Sequence, residues 1–428
     1  MRQRSLTEWL AFQEQCHPSA IDLGLARVAT VYQRLQQSIL PQQSPVVVTI
    51  AGTNGKGSSL ALLEATLMAA GYAVGSYTSP HLLRYNERIR INAKEVSDAQ
   101  LCTAFTAIEA VRGEISLTYF EWGTLAALYL FALQPLPIWL LEVGLGGRLD
   151  AVNIVTADVA LITAIDIDHV AWLGSDRETI GREKAGIMRP GGYAVCSDLQ
   201  PPQSIADFAA ATGCQLHTMP DDYDYGVSET GEGWWFSHQG ARYQLPWPAL
   251  TGSWQLANSA GVFMVLLLLR QRLPTTTANW AAGLQQMQLP GRFTWLKQQP
   301  AVIVDVAHNP QAARSLAENL QRLPCRGQRV ALFALLQDKD SAGVVAPLVS
   351  LFDAWRVVST QGERGLAATL LAEVVTTSGG HQVRAASEPL SQLLPALLEN
   401  LTEDDQLIVF GTFQLVAAVM ELFYESRA

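Results

Sequence analysis

Cysteine is scarce in this sequence. It occurs five times in 428 residues, at 16, 102, 196, 214 and 325, an odd number without C-x-x-C pairing. That pattern favours reduced structural thiols in a reducing compartment over a disulfide scaffold or a zinc site. Long apolar runs are missing as well. The longest, "GVFMVLLLL" at 261–269, is about half of a membrane span and reads as a buried helix. The opening "MRQRSLTEWLAF" lacks the apolar core of a signal peptide, so a cytoplasmic location is expected. Positive charge is also short: 29 Lys and Arg against 39 Asp and Glu leave a net charge of −10. No global basic field exists to attract nucleic acid, and any anionic ligand must be held by local groups. Repeats and low-complexity tracts do not occur.

What remains is 49% hydrophobic, ample for buried sheets, in a chain long enough for two or three domains. From 46 to about 200, short apolar runs alternate with helical patterns. The runs "VVVTI" (46–50), "AVGSYT" (73–78), "IWLLEV" (138–143), "DVALITAI" (158–165) and "YAVCS" (193–197) read as parallel strands covered on both faces. Between 204 and 250 the pattern suggests hairpins with Gly turns, followed by a helix at 258–273. A break at 284–301 contains Pro290-Gly291, and a second alternating series follows. Its strands are expected at 301–307, 329–336, 354–360, 381–386 and 406–411, and its helices at 310–322, 341–351, 366–378, 388–400 and 413–425. The expected fold class is therefore α/β. A P-loop nucleotide-binding domain with a mainly parallel sheet (1–288) precedes a smaller C-terminal, doubly wound, Rossmann-like domain (289–428).

The stretch "AGTNGKGSS" (51–59) joins a buried strand to a helix. It departs from G-x-x-x-x-G-K-[ST], because Ile50 and Gly57 stand where Gly and a hydroxyl residue belong. Loop N–H groups and the positive helix end nevertheless suit phosphates, and Lys56 would act as a point charge on them. An ordinary Gly-rich turn is the competing reading. Other polar residues end neighbouring strands. Ser79 follows "YT", Glu142 interrupts an apolar strand, and His169 follows "DVALITAI". Open α/β sheets bind ligands at this carboxyl edge. A buried Glu142 would need a cation partner, either magnesium or Arg148. Lys184 by itself reads as a solvated helix lysine. In the second series "DVAHNPQAA", "LLQDKDSAG" and "FGTFQLV" mark a further crevice of polar strand tips.

Taken in order, "AGTNGKGSS", "TSPHL", "LLEVGLGGRLDAVN", "DHVAWLG", "GREKAGI", "LPGRF", "DVAHNP" and "DKD" resemble the Mur-ligase superfamily, and within it the folylpolyglutamate synthases, in particular the bacterial bifunctional kind. The likeness runs from about 21 to 420, and G-T-N-G-K-G-[ST] is that family's own form of the P-loop. It implies an ATP-dependent ligase that activates a carboxylate as an acyl phosphate and joins it to L-glutamate. It further implies that Thr53, Asn54, Gly55, Lys56, Gly57 and Ser58 hold ATP phosphates, and that Ser79, Glu142 and His169 bind Mg2+. Lys184 would be carbamylated. Asn258, Arg292 and Asp305 would contact ATP, and His308 would face the incoming glutamate or the acyl phosphate.

Dihydropteroate and reduced folates are implied as substrates by "IDLGLARV" and "SLTYFEWGTL". The candidate positions are Ile21, Asp22, Leu23, Thr118, Tyr119, Phe120, Glu121, Leu149, Asp150 and Ala151, with aromatic rings to stack the pterin and Asp22 and Asp150 to accept its N–H donors. Gln414 stands where His or Tyr is common, and Thr412 replaces Ser. Two alternatives remain: a UDP-muramyl ligase, against which counts the short stretch of about 45 residues before the first strand, and a non-catalytic nucleotide-binding regulator. A phosphotransfer kinase is a weaker third. A monomer handling small molecules only, without nucleic acid or membrane, is expected.

Overall fold

The computed structural model describes residues 4–41 and 44–425. It divides into two compact units: residues up to 249 together with 255–287, and residues 250–254 together with 288 onward.

Among the described residues the first unit holds an eight-stranded sheet, formed by β1 (Val46–Ala51), β2 (Val74–Tyr77), β3 (Ile89–Ile91), β4 (Lys94–Glu95), β5 (Ile138–Glu142), β6 (Val159–Ile162), β7 (Tyr193–Cys196) and β8 (Gln215–Thr218). The spatial order is β4-β3-β2-β5-β1-β6-β7-β8. From β2 to β8 the pairs are parallel, and β3 and β4 add an antiparallel edge. β1, β2, β5 and β6 are buried along their whole length, because helices cover both faces of a parallel sheet. A separate antiparallel sheet comprises β9 (Tyr223–Val227), β10 (Trp234–His238) and β11 (Ala241–Leu245).

Hairpins fill only the second half of the 204–250 stretch. The first half is the helix Gln203–Thr212 and then β8, which lengthens the parallel sheet. As an edge strand, β8 is only partly buried and lacks an apolar run. The apolar helix spans Ser253–Leu268, not 258–273, and a further helix, Thr277–Gln286, follows it.

The second unit contains β12 (Thr294–Lys297), β13 (Ala301–Asp305), β14 (Arg329–Phe333), β15 (Ala354–Val357), β16 (Val383–Ala385) and β17 (Gln406–Phe410), ordered β12-β13-β17-β14-β15-β16. All neighbours are parallel except β12, which runs antiparallel to β13. β12 lies inside the expected break, since an edge strand with one buried residue carries no continuous apolar signal. The helix expected at 341–351 splits into Ser341–Val345 and a 3-10 turn at Val349–Leu351. Pro347 lies between them and has no N–H to continue the ladder. The chain is thus α/β, with a mainly parallel sheet in each unit.

Candidate active site

β1 delivers the chain to Gly52, and the helix Lys56–Ala69 begins four residues beyond. Gly55 has φ +93°, and a Cβ there would overlap the Asn258 amide, while one at Gly52 would overlap the Thr163 hydroxyl. Only glycine fits both positions. Thr163 donates to the Asn54 carbonyl at 2.7 Å, and the Thr53 N–H donates to the Ala164 carbonyl at 2.7 Å, so the loop is fastened to the end of β6. Lys56 Nζ arcs back over the loop, 3.0 Å from the Gly52 carbonyl. Gly57 and Ser58 form the first helical turn, and Gln255 donates to the buried Ser58 hydroxyl at 3.4 Å. First-turn N–H groups, with the helix dipole behind them, give this loop the chemistry that suits an anion.

Glu142 closes β5 opposite Ile50, and it is only 5% exposed. Ser79 follows β2, and its N–H donates to Glu142 Oε2 at 3.3 Å. Arg148 is not the partner of Glu142; it pairs instead with Glu183 at 2.9 Å. His169 follows β6 in a left-handed conformation, φ 54° and ψ 41°. Its ring lies 4.0 Å from the Asp168 carboxylate.

Lys184 is not a solvated lysine. It is 3% exposed near the end of the helix Arg177–Ala185. Burial, and then the nearby Lys56 charge, push its amine down to about 7, against the opposing pull of Asp168 and Asp150. At neutral pH much of it is therefore the uncharged, nucleophilic amine.

Asp150 is buried, and burial pushes it up to about 7 in spite of backbone donors. Its Oδ2 accepts from Gly144 and Leu145 at 3.0 and 2.9 Å, and Oδ1 accepts from Val152 at 3.0 Å. Its first task is thus to shape the Gly-rich turn beside half-buried Leu149 and buried Ala151. Asp22 is also engaged: Arg27 reaches it at 2.7 Å and His17 at 3.3 Å. The same Arg27 lies 3.3 Å from the buried Glu121, which forms a capping box with Thr118. That guanidinium joins the segment of Ile21, Asp22 and Leu23 to the start of the helix Tyr119–Ala132. Tyr119 packs edge-on to Tyr85 at 5.5 Å, with Arg88 over both rings. Phe120 faces Tyr77 at 5.8 Å. Trp122 is a core residue, fully buried against Trp9 and Phe105.

In the second unit Asp305 ends β13, with burial raising its carboxyl against the charge of Arg292. It accepts from the Phe293 and Ala307 N–H groups, each at 2.8 Å. Arg292 lies over Phe413 at 5.4 Å. His308 Nδ1 is 2.8 Å from the Val306 carbonyl. A carbonyl only accepts, so Nδ1 carries the proton.

Thr163 and Arg27 were not singled out by pattern. Thr163 had a weak signal, as a hydroxyl within an apolar run; Arg27 had none, because its second partner is 94 residues away.

A P-loop facing carboxylate, imidazole and lysine at one sheet edge, with a second nucleotide-fold unit behind it in sequence, defines the class: an ATP-dependent ligase of the Mur type. Residues 291–413 match the family model "Mur ligase, glutamate ligase domain". The dihydrofolate synthase/folylpolyglutamate synthase of Escherichia coli (strain K12) is 42% identical over 99% of this chain and 96% of its own. E. coli FolC in complex with DHPP and ADP superposes with a TM-score of 0.92 at 41% identity, covering 99% of both chains. A bifunctional folylpolyglutamate synthase/dihydrofolate synthase with Mn, AMPPNP and L-glutamate bound gives 0.89 at 43% identity, covering 98% of both. The chain belongs to the dihydrofolate synthase/folylpolyglutamate synthase family.

Proposed function

We propose that this chain adds L-glutamate to dihydropteroate, giving dihydrofolate, and adds further glutamates to reduced folylglutamates, at the expense of ATP. The observation that carries this reading is the sheet edge itself, where the Gly-rich loop of Gly52 to Gly55, Lys56, buried Glu142 and buried Lys184 are gathered by neighbouring strands and the helix Arg177–Ala185. Relatives at 41% and 43% identity bind ADP with DHPP, and AMPPNP with Mn and L-glutamate, which supports ATP and a divalent ion as the nucleotide and metal here.

Each residue then has a task. Thr53 fastens the loop through its N–H to the Ala164 carbonyl, the loop N–H groups of Asn54, Gly55, Gly57 and Ser58 hold phosphate oxygens, and Lys56 neutralises charge as the terminal phosphoryl group moves to the substrate carboxylate. Asn258, Arg292 and Asp305 are assigned further nucleotide contacts on the family resemblance. Among the described residues no three His, Cys, Asp or Glu side chains form a ready metal cluster. Mg2+ would therefore draw on the Ser79 hydroxyl, the Glu142 carboxylate, His169 and ATP phosphate oxygens, a mainly oxygen set that suits it. When bound, it supplies charge neutralisation for the phosphoryl group. A neutral Lys184 amine can capture carbon dioxide, and the resulting carbamate would offset the Lys56 charge next to it. His308 faces the glutamate amine or the acyl phosphate. Ile21, Asp22, Leu23, Thr118, Tyr119, Phe120, Glu121, Leu149, Asp150 and Ala151 border the pteroate site, with Tyr119 and Phe120 as stacking rings.

We further read the protein as a cytoplasmic monomer that handles small molecules, without nucleic acid or membrane partners; the net charge of −10 supports the first exclusion. No helix among the described residues is long and apolar enough to cross a membrane. The acyl-phosphate route is tested with dihydropteroate labelled with 18O in its carboxylate. Label must appear in the released phosphate; phosphate free of label sinks the route.

A further inference from the structure

The loop that carries His169 leaves β6 at Ile162 and runs seven residues to its histidine. Three consecutive residues of it are fastened. The Ala164 carbonyl accepts from the Thr53 N–H at 2.7 Å. Asp166 is held from both sides by the Thr53 hydroxyl, which accepts its N–H at 3.0 Å and donates to its carbonyl at 2.9 Å. Thr53 belongs to the phosphate loop and is accounted for. Ile165, between them, is held by two residues with no role so far.

The Ile165 N–H donates to Asp198 Oδ2 at 2.6 Å, and Arg177 Nε donates to the Ile165 carbonyl at 2.9 Å. The same guanidinium reaches both Asp198 oxygens, at 3.2 and 3.1 Å, and the Gln200 carbonyl at 2.9 Å. Asp198 in turn accepts from the Gln200 N–H at 2.8 Å. The arrangement is a closed ring of charge-assisted bonds around one peptide unit, and Asp198 is only 4% exposed. Three elements meet there. Asp198 follows β7, Ile165 follows β6, and Arg177 is the first residue of the helix that carries Lys184. The N–H and the carbonyl of Ile165 each have one partner. Here both are taken by one coupled ion pair, four residues ahead of a histidine held at positive φ.

We infer that Asp198 and Arg177 are positioning residues that hold the His169 loop in the register its imidazole needs to meet a divalent metal. This rests on the reading of His169 as a metal ligand. The outer partners of metal ligands typically contribute about 10- to 100-fold in metal affinity. The pair therefore acts on metal binding through the backbone, without touching the ion.

The test is Mn2+ affinity in the presence of AMPPNP, read by electron paramagnetic resonance of the free ion, for the full chain and for Arg177→Lys, Asp198→Asn and His169→Ala. Arg177→Lys keeps the charge but cannot span Ile165 and Asp198 together, and it is mild enough to fold. The expected result is a Kd for Mn2+ raised about 10-fold or more in Arg177→Lys and in Asp198→Asn, with His169→Ala at least as weak. A lowered melting temperature with Mn2+ affinity within about twofold of the parent in the two clamp variants, while His169→Ala is weakened, would make the clamp a stability element and overturn the inference. Unchanged affinity in His169→Ala would overturn the metal reading itself, and the positioning role with it.

Discussion

Two lysines meet at the carboxyl edge of the first sheet, and their surroundings assign them different work. Lys56 bends over its own loop with its ammonium 3.0 Å from a backbone carbonyl, where a phosphate would compete for it. Removing that charge takes away transition-state stabilisation and little packing, since the residue is half-buried. Lys56→Ala should lower kcat/KM in a phosphate-release assay by about 10²-fold or more and leave the melting temperature nearly unchanged. Lys184 is the reverse case: its burial disfavours its own charge. Its amine titrates near 7 in the folded chain and at 10.5 ordinarily. Between those values the unfolded chain binds more protons, so stability rises with pH across the window, and below it the full cost of the buried charge is present. Lys184→Met should therefore be inactive, yet melt higher than the parent at pH 6 in carbon dioxide-free buffer. That difference should shrink as pH climbs from about 7 towards 10. A variant that melts lower than the parent at every pH would contradict the assignment.

At the scale of elements, the proposed phosphate loop would act through backbone rather than side chains. Gly55→Ala asks for a Cβ at φ +93°, against the Asn258 amide. It should destabilise by about 1–2 kcal/mol in a thermal melt and raise the KM for ATP, since both the loop and Asn258 must shift. Elements like this one were legible from sequence because their signals are local. The helix Pro310–Arg322 announces itself by Asn309 as a side-chain cap, with proline at its first position. The covered strands β1, β5, β6, β14 and β17 announce themselves by unbroken apolar runs. β8 and β12 were not legible, since edge strands are half-exposed and polar. Nor were Arg27, Arg177 and Asp198, whose meaning lies in partners brought close only by folding. Lys184 is the clearest such residue. Its residue type and spacing suit a surface helix, and only the resemblance suggested otherwise, while the fold shows it buried.

At the scale of the whole molecule, the residues proposed to contact ATP are distributed over two units with separate sheets. The loop, Glu142 and Lys184 belong to the first, and Arg292 and Asp305 to the second. In the second unit Asp305 is tied to the backbone at Phe293 and Ala307, so its carboxylate holds the turn that carries Arg292. Arg292→Ala should raise the KM for ATP by about tenfold while leaving the melt of the protein nearly unaltered, as expected when a charge-assisted contact to phosphate is lost. An unchanged KM would confine nucleotide binding to the first unit. A ligase of this kind hydrolyses ATP only in joining two organic substrates. The most direct measurement is phosphate release from ATP and Mg2+ with dihydropteroate and L-glutamate, each omitted in turn. Phosphate is expected only when both are present, matched by dihydrofolate formed. ATP hydrolysis indifferent to both substrates would contradict it.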